Sequence, residues 1–311
     1  SVIVSGLHIV IGAGGLGRSV AAQLVAGGER VRLVSRTGDA RVTGAESVGA
    51  DATNPSDLDV ALAGASVVYQ CAQPAYTRWA QEFPQLQTGI LDAAVRAGAD
   101  LVIADNLYMY GDPNGAVITE VSPENPATKK GRVRKAMADA ALQAHREGRL
   151  RVAISRPADY FGPGHDQSSK AIFGNAARGS AMQFFGRMDM PHTLSYLPDA
   201  AAAMATLGTT EAGWGSVWIP PVQPAMTQHE LAERVWSAAG NSGRPKVRVT
   251  GEGAIRLVGL VVPVVREFAE MSYQYEKPFV VDSSRFESTF GAAPTANDVA
   301  IAATVEHYRA S

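Results

Sequence analysis

Leu7-His8-Ile9-Val10-Ile11-Gly12-Ala13-Gly14-Gly15-Leu16-Gly17-Arg18 is the stretch that decides the fold. Leu7–Ile11 is a short, largely β-branched run that ends in glycines and reads as a buried strand. Arg18–Ala26 carries an Ala/Val/Leu helix pattern closed by Gly27 and Gly28. Between them, one glycine permits a tight turn, one lets a backbone approach a pyrophosphate, and one lets helix and strand pack closely. A helix opening at Gly14, Gly15, Leu16, Gly17 and Arg18 offers unpaired amides and a positive dipole end to phosphates. With a strand before the loop and a helix after it, the pattern points to a dinucleotide site.

The second strand, Arg30–Ser35, leads to the choice of nucleotide. An acid at its end would bind an adenosine ribose hydroxyl and repel a phosphate there. The chain has Ser35-Arg36-Thr37 instead, with Arg18 on the nearby loop. A guanidinium binds a phosphate through paired hydrogen bonds, so NADP is favoured and NAD stays open. Asp51 and Ala52, after a third short strand, suit the adenine edge. Ser66–Cys71, Asp100–Asp105 and Arg151–Ser155 read as further strands. Gln85–Ala97, stopped by Gly98, and Arg134–Arg146 read as helices. Strands alternating with helices of this length imply a doubly wound, Rossmann-type α/β parallel sheet. After Pro157 the pattern changes. Gly162–Gly164 breaks the chain, and Gly174–Met190 is rich in glycine and methionine with little periodicity. Thr227–Ala239 is a helix with a Thr227/Glu230 capping box, and Ile255–Met271 reads as one long apolar helix. The expected division is 1–159 plus 194–221 as the nucleotide domain, and 160–193 plus 222–311 as a smaller substrate lobe.

Composition narrows the function classes. The 311 residues hold 28 Lys+Arg and 30 Asp+Glu, a formal charge of −2, which argues against a nucleic-acid partner. A single cysteine, Cys71, permits no internal disulfide and no cysteine metal cluster. A reducing cytoplasm fits. No signal-peptide pattern opens the sequence, and the longest apolar stretch is too short to cross a bilayer, so no membrane partner is expected. None of the six histidines pairs at the i, i+4 spacing of a helical metal site, and no metal is expected. No hydrolase nucleophile elbow is present.

The chain resembles the extended short-chain dehydrogenases/reductases of the nucleotide-sugar epimerase/dehydratase type. Besides the glycine loop, Val67–Ala72 resembles the strand under the nicotinamide, and 104–111 resembles the "SS…VYG" segment. Ser155–Gly164 resembles "RP…YGPG", Ser195–Ala201 resembles "VxDxA", and Phe279–Tyr308 resembles the tail. The resemblance implies cofactor contacts at Cys71, Ala72, Gln73 and Pro157, and a homodimer through two helices flanking the sheet. It also implies a Ser or Thr, and a Tyr four residues before a Lys, at the reacting centre. The Lys and the nicotinamide charge lower the pKa of such a tyrosine so that it exchanges a proton near neutral pH. Aligned this way, Asn106 stands at the Ser position and Lys135 at the Lys position, contacting the nicotinamide ribose. Gly131 stands where the Tyr should be.

Asn106, Tyr108 and Tyr110 alternate, and on a strand end they would share one face. Tyr108 is then the candidate acid/base, Asn106 the residue orienting a substrate oxygen, and Tyr110, Tyr160 and His192 candidate substrate contacts. Lys129–Lys135 carries five basic residues at a helix start, where the macrodipole disfavours cations. A cofactor, an anionic substrate or Asp139 could balance them. The leading expectation is an NAD(P)-dependent oxidoreductase acting on a small or medium carbonyl compound. A non-enzymatic NAD(P) sensor and a non-redox lyase or isomerase are the alternatives.

Overall fold

A computed structural model describes residues 6–311. In chain order its elements begin β1 Leu7–Ile11, α1 Gly15–Ala26, β2 Arg30–Ser35, β3 Glu46–Gly49, α2 Pro55–Ala61, β4 Ala65–Gln70, α3 Trp79–Ala97, β5 Asp100–Ala104, α4 Lys129–Arg146 and β6 Val152–Ser155. They continue with β7 Asp159–Phe161, α5 Asp166–Ser169, α6 Asn175–Ala177, β8 Met182–Phe185, β9 Pro191–His192, β10 Leu194–Tyr196, α7 Leu197–Thr209, β11 Val217–Trp218, β12 Met226–Thr227, α8 Gln228–Ala238, β13 Val247–Thr250, α9 Glu252–Gly259, α10 Pro263–Glu270, α11 Tyr273–Glu276, α12 Ser284–Phe290 and α13 Asn297–Arg309.

The chain forms two compact units. The first comprises 6–106, 132–157 and 200–220, and the second comprises 107–131, 158–199 and 221–311. The structure therefore groups 107–131, 158–159, 194–199 and 221 with the second unit, where the sequence division places them in the first.

A seven-stranded sheet of order β11-β6-β5-β4-β1-β2-β3 is the centre of the first unit, and every pairing in it is parallel. Helices cover parallel sheets on both faces, so the strands read as continuous apolar runs, and all five residues of β1 are buried. His8, the polar exception, is satisfied inside. Its Nδ1 lies 2.8 Å from the Tyr69 hydroxyl and its Nε2 3.2 Å from Glu29. Leu7, Ile9, Ile11, Leu101, Ile103 and Ile154 pack with Ile90 and Ala94 of α3 and Ala141 of α4. The chain runs outward from β1 in both directions, to β2–β3 and to β4–β6. The loop after β1 thus sits at the switch point of strand order, outside the carboxyl ends, where doubly wound sheets bind ligands.

The second unit builds its own core from Phe161, Phe173, Met182, Phe184, Leu231, Val235, Trp236, Ile301 and Val305. The capping box is present: Thr227 Oγ1 accepts from the Glu230 amide, and the Glu230 carboxylate accepts from the Thr227 amide.

Several boundaries differ from the sequence reading. Helix α3 starts at Trp79 and runs through Pro84, its sixth residue, which has no amide to donate to the Ala80 carbonyl. Helix α4 starts at Lys129 rather than Arg134. The stretch 174–190, expected to be irregular, contains β8, built from the alternation of buried Met182 and Phe184 with exposed neighbours. The long helix expected at Ile255–Met271 is two helices. Pro263 lacks an amide to donate and therefore opens α10 instead of continuing α9.

Candidate functional site

The glycine loop has three positions with three different constraints. Gly12 has φ +109°, and a Cβ there would lie 2.6 Å from the Ala72 amide nitrogen. At Gly17 a Cβ would lie 1.8 Å from the Gly12 carbonyl oxygen. Both glycines are demanded by the protein's own packing. Gly14 is different, because a Cβ there meets nothing within 4 Å. Gly14 is also the N-cap of α1, no side chain caps that helix, and no acid stands in its first turn. The amides of Gly15, Leu16 and Gly17 open a helix with no intrahelical acceptors for them. Such an end, bordered by open space, fits a diphosphate.

The loop after β2 supplies charge. Ser35 Oγ accepts from the Gly38 amide at 2.9 Å and closes the turn that carries exposed Arg36. Arg18 donates through Nε to the Ala13 carbonyl at 2.8 Å and reaches the Arg41 carbonyl at 3.4 Å. Asp39 accepts from the Thr37 hydroxyl. That bond, together with the fields of Arg41 and Arg18, holds its carboxyl below the ordinary value. Sequence reasoning named Arg18 and Arg36 but missed Arg41 and Asp39, which lie beyond the strand end in a loop with no periodicity. Asp51 accepts from the Thr53 hydroxyl and amide at 2.6 and 2.9 Å. These bonds, with a contribution from Arg36, keep it below its usual range. Ala52 packs against the sheet core. Ala72 and Cys71 back Gly12, and burial pushes the Cys71 thiol up to about 12. Gln73 is exposed and Pro157 is buried.

At the carboxyl end of β5 lies a buried charge network. Arg134 donates to Asp105 Oδ1 at 2.7 and 2.9 Å, and Arg156 donates to Asp105 Oδ2 at 3.0 Å. The Arg134 guanidinium also sits 4.4 Å from the Phe83 ring centre. Carboxylate and guanidinium compensate one another where neither could stand alone.

Helix α4 divides its basic residues between the surface and the interior. The Lys135 side chain is 37% exposed and pairs with Asp139 at 2.9 Å. Lys130 and Arg134, also four apart, are the buried pair, and Lys130 joins Glu267 in an ion pair with its side chain only 4% exposed. Gly131 leaves no room for a side chain. A Cβ there would lie 2.6 Å from the Tyr108 carbonyl oxygen and 2.8 Å from Pro126 Cβ. Asn106, Tyr108 and Tyr110 do not alternate on a strand. Strand β5 ends at Ala104, and Tyr108–Tyr110 forms a 3-10 turn. Tyr110 is buried and donates to the Glu120 carbonyl at 3.1 Å, while Asn106 and Tyr108 are half-buried.

The second unit holds a polar cluster of its own. Both nitrogens of buried His192 face oxygen acceptors: Nδ1 the Gln274 carbonyl at 2.9 Å, and Nε2 Asp159 Oδ2 at 2.8 Å. Tyr275 stacks on the His192 ring and donates to the same carboxylate oxygen at 3.0 Å. Burial works against the charge of Asp159, but these partners prevail and its carboxyl lies below the ordinary value. Half-buried Tyr160 contacts the His165 ring. Sequence reasoning singled out Tyr160 and His192 but not Asp159 or Tyr275.

Comparison with known proteins bears on the fold and the family. No curated protein sequence matches the chain. The UDP-glucose 4-epimerase of Thermus thermophilus, solved with NAD, superposes with TM-score 0.78 at 17% identity over 97% of this chain and 99% of its own. The dTDP-glucose 4,6-dehydratase of Streptomyces venezuelae, solved with NAD, gives 0.78 at 20% identity over 98% and 97%. That of Bacillus anthracis, also solved with NAD, gives 0.80 at 13% identity over 98% and 97%. At such identities the likeness is one of fold. The model of the NAD dependent epimerase/dehydratase family, however, matches residues 8–217, two thirds of the sequence, and the chain belongs to that family.

Proposed function

We propose that this protein is an NAD(P)-dependent oxidoreductase that prefers NADP and acts on a small or medium carbonyl compound. The observation that carries the reading is the open cradle at Gly14, uncapped and acid-free, with Arg18 in the first turn of α1 and Arg36 and Arg41 on the loop after β2. In this reading the amides of Gly15, Leu16 and Gly17 hold the diphosphate, and the arginines hold a 2′-phosphate. That the solved relatives carry NAD supports a nicotinamide dinucleotide. The preference for the phosphorylated form rests on this chain's own arginines and on Ser35 at the end of β2. When bound, the cofactor supplies the hydride chemistry. The protein's share is to orient the substrate oxygen, for which half-buried Asn106 and Tyr108 are the proposed groups.

Calorimetric titration with NADPH and NADH tests the proposal. NADPH is expected to bind at least tenfold more tightly, and Arg36→Gln to erase most of the difference. Heat from neither nucleotide refutes the assignment. A second reading, a nucleotide-binding sensor without turnover, is favoured by the state of α4: Lys130 and Arg134 are held in ion pairs, and Gly131 admits no phenol. Tight NADPH binding with no oxidation across a panel of aldehydes and ketones would select it.

A further inference from the structure

Ile9 and Ile11 of β1 face α3 and α4, so His8 and Val10 face the other side of the sheet. There the first unit buries a polar chain that the nucleotide cradle does not use. His8 is 5% exposed, and Tyr69 of β4 is fully buried. The His8 ring meets the Tyr69 hydroxyl through Nδ1 at 2.8 Å and Glu29 through Nε2 at 3.2 Å. A carboxylate only accepts, so the proton of a neutral ring sits on Nε2, and Nδ1 accepts from the Tyr69 hydroxyl. Both nitrogens are then satisfied. A second proton occupies Nδ1, makes the phenol the acceptor and forces the phenolic hydrogen to turn elsewhere. Among the described residues His8 is the hydroxyl's only hydrogen-bond partner. The space beyond is filled by α7, where a Cβ on Gly208 would lie 1.9 Å from the Tyr69 oxygen. An unsatisfied buried hydroxyl is costly, and water reaches this one only if the last turn of α7 lifts from the sheet. That turn is weakly held: Gly208 is a poor helix residue, and Leu207 is the turn's one large buried side chain.

Few other titratable groups face this ring. Burial, opposed by Glu29, holds the His8 pKa below its ordinary value. Burial pushes the Tyr69 phenol well up, with Glu29 and Cys71 adding to it, and burial also keeps the Cys71 thiol neutral. Strand β2 sets Val31 and Leu33 beside His8 and Val10. Helix α1 past Arg18 and helix α7 past Asp199 carry no titratable residue.

We propose that His8 and Tyr69 form an acid-sensitive latch, which holds the C-terminal turn of α7 on the sheet and releases it when His8 takes up a proton. With the turn lifted, His8 regains its ordinary value of about 6.5. The closed state binds fewer protons than the open one, so closure is fully present above about pH 6.5 and weakens as the pH falls below it. Hydrogen exchange of the full chain, corrected for the intrinsic pH dependence of exchange, reads the opening. Protection of the 205–209 amides is expected to fall about three- to tenfold from pH 7.5 to pH 5.5, about tenfold being the most that one histidine supplies one unit below its ordinary value. The 87–94 amides of α3 are expected to hold. His8→Gln offers Tyr69 an acceptor and Glu29 a donor without titrating, and should remove the pH dependence. Protection independent of pH in the wild type overturns the proposal. An equal loss in His8→Gln overturns it too, as does a matching loss at 87–94, which marks global unfolding. Should His8→Gln not fold, NMR titration of the wild-type ring decides: a midpoint below about 6.5 supports the latch, and one at or above it overturns it.

Discussion

Replacing Gly14 by Ala separates what the glycine loop does for the fold from what it does for a ligand. Gly14 has φ −72° and ψ −174°, ordinary for alanine, and its Cβ would enter open space. Alanine is a somewhat poorer N-cap than glycine, while losing glycine's freedom in the unfolded chain returns about 0.4–1 kcal/mol. The two terms nearly cancel, so stability in urea should change by no more than about 0.5 kcal/mol. A diphosphate resting on this helix end makes charge-assisted bonds to backbone amides, each worth about 1.5–3 kcal/mol. A methyl group in that space displaces at least one of them, so NADPH affinity should fall roughly 10- to 150-fold. Gly17→Ala is the control. Its Cβ would stand 1.8 Å from the Gly12 carbonyl oxygen, so the turn itself must shift. A loss of about 1–3 kcal/mol of stability is expected there. The assays are urea unfolding and calorimetric titration on the same preparations. Wild-type affinity in Gly14→Ala would show that no phosphate rests on this helix, and the cofactor argument would fall with it.

Four further outcomes follow. Asp105→Asn leaves two buried guanidiniums without their carboxylate and should cost about 3–5 kcal/mol in urea unfolding; a loss under about 1 kcal/mol would mean the network is not closed as described. Gly131→Ala drives a methyl against the Tyr108 carbonyl, with an expected loss of about 1–3 kcal/mol, and Gly131→Tyr should be worse, so reinstating a phenol at this position should not create reductase activity. The folded pKa of Asp159 lies below its unfolded value, so its contribution to stability is present above about pH 4 and is lost as the pH falls through the folded value. The stability gap between wild type and Asp159→Asn should therefore shrink on going from pH 6 to pH 3, and a constant gap would contradict a carboxyl held below its ordinary value. Burial holds the Cys71 thiol near 12, so a disulfide reagent at pH 8 should modify it slowly in the native protein and at once in urea; equal rates would place the thiol in solvent.

The parts of the molecule legible from sequence are those governed by short-range periodicity and by glycine. The strand–loop–helix of 7–26, the helix stop at Gly98 and the capping box at Thr227 each depend on residues within one turn of one another. The turn between α9 and α10 at Leu260 was not legible, because its apolar residues resemble a buried helix and only exposure tells them apart. Asp159 and Tyr275 meet across 116 positions of sequence, and no spacing rule joins them. Arg41 and Asp39 lie in a loop whose course is fixed by contacts with Gly49 and Arg18 rather than by any repeat.

Helix α4 shows how one residue of frame changes which side chains turn inward. Counting four residues back from Lys135 leads to Gly131, but successive helix residues are rotated by about 100°, so a frame one residue off faces a different direction. The packing shows which residues of α4 face the protein. Gly131 lies flush on the Tyr108 carbonyl, Lys135 pairs with Asp139 one turn on, and Lys130 and Arg134 point into protein. Burying a lysine and an arginine one turn apart is costly unless each finds a carboxylate, and each does, in Glu267 and Asp105. Runs of basic residues usually mark a solvated face, and here the run is divided, part turned outward and part inward. The Lys130–Glu267 contact is a buried ammonium–carboxylate pair whose role a charge-removing double substitution tests. Lys130→Met with Glu267→Gln would keep the shape while removing the charge. Loss of turnover with NADPH affinity intact would place the reacting proton there, and unchanged turnover would leave Tyr108 as the remaining donor.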